Sequence, residues 1–98
     1  MAFVIDPERN EINALKSVTV WRGKNVLEVG CGSGRLTLRL ARLGATILAI
    51  DPDPQLIRAA RKNMPEHFKG RIRYRVGKAE QLKERDSTYD LVVFSWVL

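Results

Sequence analysis

The chain has 98 residues, with 17 Lys or Arg against 11 Asp or Glu and a net charge of +6. That length suits a single domain, and 45% hydrophobic with 29% charged residues excludes a disordered chain. No apolar run approaches the ~20 residues of a membrane helix, and the first six residues lack the basic start and apolar core of a signal peptide. The single cysteine, Cys31, excludes an internal disulfide and fits a reducing cytoplasm.

Asp6-Pro7-Glu8 reads as a helix start, an acidic cap followed by proline, and predicts a helix over 7–17 with Ile12 and Leu15 facing the core. Val18 to Lys24 is a connector. Val26-Leu27-Glu28-Val29 then predicts a buried strand, interrupted only by the carboxylate of Glu28. Gly30-Cys31-Gly32-Ser33-Gly34 is a tight turn, whose glycines present no side chain to a ligand. Leu36, Leu40 and Leu43 follow at helical spacing and predict a helix over 34–43, with Gly44 as its C-terminal cap. Residues 45–50 predict a second strand ending at Asp51.

Pro52-Asp53-Pro54 opens a helix over 54–64, with Leu56, Ile57, Ala60 and Met64 on its apolar side. Ile72, Tyr74 and Val76 alternate with Arg71, Arg73 and Arg75, the pattern of a half-exposed strand. Lys78 to Thr88 is short and polar, and Tyr89 to Leu98 reads as a fourth, buried strand.

Strand, glycine turn, helix and strand ending in an acid form the βαβ layout that binds a nucleoside. Asp51 lies 21 positions after Gly30, close to the ~20-residue spacing of an acid that accepts hydrogen bonds from ribose. The alternative role for Asp51 is a helix cap, for which Asp53 is the rival. Glu28 reads either as a ligand-facing acid or as a satisfied structural carboxylate.

The turn has the form acid-x-Gly-x-Gly-x-Gly, and Arg35 stands where a dinucleotide fingerprint places its third glycine. In Glu28 to Gly34, Ala49 to Asp53, Gly77 to Glu80 and Tyr89 to Ser95 the chain resembles the class I S-adenosylmethionine-dependent methyltransferases. The resemblance implies an α/β, Rossmann-like parallel sheet of order 3-2-1-4 with flanking helices, here ending after the fourth strand. It implies S-adenosylmethionine as cofactor, with Gly30, Cys31, Gly32 and Gly34 beside its methionine part and Glu28 near its ammonium group. Asp51 would take the ribose, and Pro52 and Asp53 would sit beside sugar and adenine. Lys78, Ala79 and Glu80 would lie at the adenine, although Lys78 replaces a frequent aspartate and has no acceptor for the adenine amino group. Ser95 and Trp96 would stand by the methionine moiety and the acceptor.

No catalytic base is identifiable, and no metal cluster forms around His67, the only histidine. Cys31 occupies a variable place in the turn and is not read as a nucleophile. The expected function is methyl transfer to an unidentified acceptor. The rival readings are a noncatalytic S-adenosylmethionine-binding or oligomerisation module and an NAD-binding oxidoreductase module. The acceptor is a small molecule or, given the charge of +6, a nucleic acid; Arg35, Arg39 and Arg42 otherwise form a solvated helix face. The helices would cover one face of the sheet, leaving the other bare and the fourth strand at an apolar edge. That predicts either a homodimer contacting through 89–98 or further elements beyond Leu98.

Overall fold

The computed structural model describes residues 2–5, 15–16, 19–78 and 88–95. Its centre is a parallel sheet of five strands: β1 (Ala2–Ile5), β2 (Asn25–Val29), β3 (Thr46–Asp51), β4 (Ile72–Val76) and β5 (Leu91–Ser95). They lie in the order β1-β5-β2-β3-β4. The four strands read from the sequence therefore take the expected 3-2-1-4 arrangement. β1 is an addition that was not expected, and it pairs with β5 from Ala2↔Val92 to Ile5↔Ser95. Four residues ahead of a proline give too short an alternation to register as a strand from pattern alone.

Helices α1 (Arg35–Arg42) and α2 (Pro54–Asn63) follow β2 and β3. α1 buries Leu36, Thr37, Leu40 and Ala41. It ends where Gly44, at φ +100°, passes so close to Arg22 that an added Cβ would stand 2.9 Å from the Arg22 Cα. α2 is capped by Asp53, whose carboxylate accepts from the Gln55 amide at 2.9 Å, with Pro54 in its first turn. Ile57 and Ala60 are buried as expected, but Leu56 is exposed. It flanks the packed stripe, because apolar spacing alone does not fix the angular edge of the buried side in a helix of 10 residues. On β4, Ile72 and Tyr74 are buried and Val76 is exposed near the strand's end.

Strand alternation divides the core in two. One face carries Val26, Ile47, Ala49, Ile72, Tyr74, Leu91 and Val93, packed with Leu15, Trp21 and the inner sides of α1 and α2. Leu15 and Lys16 are helical, while the expected start of that helix lies outside the described residues. The Trp21 indole N–H donates to the Leu15 carbonyl at 2.8 Å, so the ring is buried with its polar atom satisfied. The other face gathers Leu27, Val29, Leu48 and Ile50, with Tyr89, Val92 and Phe94 half-buried beside them.

Two premises of the dimer expectation are thereby corrected. β5 is not at an edge, since β1 pairs along it. Nor is the second face bare, since Leu27, Leu48 and Ile50 are buried within the chain. Two arginines are structural. Arg71 Nη1 donates to the carbonyls of Ala41 and Ala45, with its guanidinium 5.1 Å from the Phe68 ring centroid. Arg61 Nη2 donates to the Tyr74 carbonyl at 2.7 Å on the edge strand. No helix among the described residues is long and apolar enough to cross a membrane.

Candidate cofactor-binding site

Register sets the site. Val29 is level with Ile50 on β3 and with Phe94 on β5. The next step along each strand brings Gly30, Asp51 and Ser95 to one line at the carboxyl end of the sheet. The chain reverses its winding between β2 and β5, which is where open α/β sheets form a ligand crevice.

The turn after β2 is shaped by backbone hydrogen bonds. The amides of Gly30 and Cys31 both donate to the Ile50 carbonyl, at 2.9 and 3.0 Å, and the Gly34 amide donates back to the Cys31 carbonyl. Gly30, Gly32 and Gly34 have φ of +81°, +57° and +93°, a region other residues rarely adopt. The two last glycines differ in surroundings. A Cβ at Gly32 would meet nothing within 4 Å, whereas one at Gly34 would stand 2.5 Å from the Tyr74 hydroxyl. Gly32 borders open space and Gly34 borders the core.

Asp51 joins this turn to the next. Its Oδ2 accepts from the Gly32 amide at 3.0 Å and its Oδ1 from the Asp53 amide at 2.9 Å. Asp53, not Asp51, caps α2, which resolves the rivalry between them. Each Asp51 oxygen retains acceptor capacity beyond these bonds. Pro52 and Asp53 are exposed beside it. The Gly77 amide donates to the Asp51 carbonyl at 3.1 Å, so the exposed Lys78 leaves the sheet at the same end. Ala79, Glu80 and Trp96 lie outside the described residues.

Three expected site residues turn inward. The Glu28 side chain is completely buried, and its Oε1 accepts from the Thr37 hydroxyl of α1. Ser95 is also buried and stands beside the Glu28 carboxyl. Burial raises the Glu28 pKa to about 7; the Thr37 and Ser95 hydroxyls offset part of the rise, and the Asp51 charge adds to it. The Cys31 side chain belongs to the core cluster, and burial, then the charges of Glu28 and Asp51, push its thiol up, away from thiolate chemistry. Sequence reasoning missed Thr37 and Tyr74, which complete this buried group. Thr37 carried a signal, since it is a polar residue beside the apolar stripe of α1 and nine positions from Glu28.

A family model described as "Methyltransferase domain" matches residues 26–98. The chain belongs to this methyltransferase-domain family. It is 42% identical over 79 residues to the mitochondrial ubiquinone biosynthesis O-methyltransferase of Homo sapiens, covering 78% of this chain and 21% of that protein. It is 42% identical over 55 residues to the magnesium-protoporphyrin O-methyltransferase of Rhodobacter capsulatus, covering 56% and 25%. The fold superposes with a TM-score of 0.71 and 30% identity on the phosphoethanolamine N-methyltransferase 1 of Haemonchus contortus, covering 85% of this chain and 17% of that one. That structure is a complex with phosphoethanolamine and S-adenosylhomocysteine. The chain thus spans about a quarter or less of the length of these relatives.

Proposed function

We propose that the crevice at the carboxyl ends of β2, β3 and β5 binds S-adenosylmethionine and that the chain is the cofactor-binding portion of a methyltransferase acting on an oxygen acceptor. The observation that carries the reading is the joint between Asp51 and the glycine turn, with its spare acceptors beside open space at Gly32. Asp51 accepts from the ribose hydroxyls, having its orientation fixed by two backbone amides. Gly30 and Gly32 let the backbone approach the methionine portion, and Cys31 contributes only main chain. α1 begins directly after the turn with no capping side-chain hydrogen bond at Gly34, which suits the ligand's carboxylate. Pro52, Asp53 and Lys78 flank the sugar and adenine.

The cofactor supplies a methyl group that its sulfonium already makes electrophilic. The work left to the chain is alignment of acceptor, methyl and sulfur, which it begins by holding the donor in a fixed crevice. The O-methyltransferase names of the two curated relatives support an oxygen acceptor. The coverage of a quarter or less supports a division of labour, with acceptor recognition in the remainder of such proteins. Calorimetry with S-adenosylmethionine and with NAD tests the reading. Binding of the former alone is expected; preference for NAD overturns it.

A further inference from the structure

Beneath the glycine turn lies a group of polar side chains that binding by itself does not require. Glu28 Oε1 accepts from Thr37, while Glu28 Oε2 and the Tyr74 hydroxyl oxygen are buried with no well-formed hydrogen bond among the described residues, although the Ser95 and Thr37 hydroxyls stand near them. An ionised carboxylate with one oxygen so poorly paired is costly in such a place. Among the described residues, the groups that face it are Cys31 from the turn, Thr37 from α1, Asp51 from β3, Tyr74 from β4 and Ser95 from β5. None of these described groups is a cation, and Asp51 repels a second negative charge.

We propose that this cluster keeps a proton on Glu28 while the crevice is empty and gives it up to solvent when a cationic methyl donor binds, making Glu28 a positioning residue that favours donor over demethylated product. The inference rests on the crevice being the S-adenosylmethionine site. Its step is a simple ionisation: the Glu28 O–H bond breaks, the proton passes to solvent, and the ligand is chemically unchanged. Charge is felt between crevice wall and cluster, since Asp51, which anchors the glycine turn through the Gly32 amide, disfavours the carboxylate of Glu28. A sulfonium placed above the turn therefore favours the carboxylate that the empty protein disfavours. The thioether product lacks that charge and draws the proton less. Burial of Glu28 also explains how it can serve a cationic ligand without lining the crevice.

The experiment is calorimetry of the whole chain with S-adenosylmethionine and with S-adenosylhomocysteine in two buffers of different ionisation enthalpy. At a pH of about 6.5 the ligand amino group is protonated throughout, and Glu28, with its pKa at about 7, is mostly protonated. Release of roughly half a proton or more per donor, and clearly less per product, is the expected result. Glu28→Gln should bind the donor without that release. Since the variant's folding is itself in question, the wild type supplies a second readout: loss of the infrared band of a protonated carboxyl on saturation with donor. Donor binding whose heat is the same in both buffers overturns the inference and leaves the site intact. Release retained in Glu28→Gln also overturns it. Absence of donor binding to folded wild type removes the site reading, and this inference with it.

Discussion

Gly32 and Asp51, 19 residues apart in sequence, are joined by a hydrogen bond of 3.0 Å from the Gly32 amide to Asp51 Oδ2. The bond makes the turn after β2 and the end of β3 one structural unit. Asp51 has a second tie, to the Asp53 amide, so its carboxylate is oriented before any ligand arrives.

Asp51→Ala should therefore weaken S-adenosylmethionine binding by more than one hydrogen bond, because the turn loses its anchor as well. Hydrogen bonds to a charged group contribute about 1.5–3 kcal/mol, so a loss of ten-fold or more in affinity is expected. Asp53→Ala should instead cost about 0.5–2 kcal/mol of stability through loss of the α2 cap, with a smaller effect on affinity. Titration calorimetry and thermal melts on both variants separate the two roles; equal affinities would contradict the assignment.

The glycines should also divide. Gly32→Ala places its Cβ in open space and carries only the left-handed backbone cost of about 1–2 kcal/mol, so it should fold and bind poorly. Gly34→Ala adds a collision with the Tyr74 hydroxyl to a similar cost and should be the less stable of the two. Tyr74→Phe removes a buried oxygen that makes no well-formed hydrogen bond among the described residues, so alone it should be close to neutral. Combined with Gly34→Ala, it should recover part of the lost stability. Denaturant melts of the four variants check the series, and additivity of Gly34→Ala and Tyr74→Phe would show the contact to be unimportant.

These contrasts mark what could be read from the residues. The central strands, the glycine turn and Asp51 were legible because local pattern specifies them: continuous apolar runs, alternating glycines and an acid at fixed spacing. Glu28 was visible as an anomaly, but its direction was not. Whether a carboxylate at the end of a strand faces ligand or core depends on what stands beneath it, and Thr37 and Tyr74 arrive there from other elements. β1 was illegible for a similar reason. It is a strand only by virtue of pairing with β5, about 90 residues away in the chain, and no local periodicity encodes that.

Glu28 also makes stability depend on pH. Its pKa rises from 4.5 to about 7 on folding, so the native state binds more protons than the unfolded state between those values. Stability from this group is complete below the unfolded value and is lost as pH climbs through the folded one. The full contribution is on the order of 3 kcal/mol. Glu28→Gln should flatten the decline, giving its largest relative stabilisation near neutral pH. Thr37→Val should deepen it, since the Thr37 hydrogen bond is the larger of the two that hold the pKa down. Denaturant midpoints followed from acid to neutral pH check this; parallel curves for wild type and Glu28→Gln would place the titration elsewhere.

The pairing of β1 gives the last prediction. All four of its residues are in register with β5, from Ala2 against Val92 to Ile5 against Ser95. β5 is Leu91-Val92-Val93-Phe94-Ser95, with no charge or proline to discourage another strand from pairing there. Removal of residues 1–5 should expose its backbone donors and acceptors along an apolar edge. The shortened chain should self-associate more strongly than the intact one, and β5 should lose amide protection when the protein is dilute. Ile5→Pro tests the same contact without a deletion, since proline cannot donate to the ladder. Light scattering over a concentration series compares the three proteins. If the shortened chain behaves like the intact one, β1 is not what protects this edge, and cover must come from elsewhere.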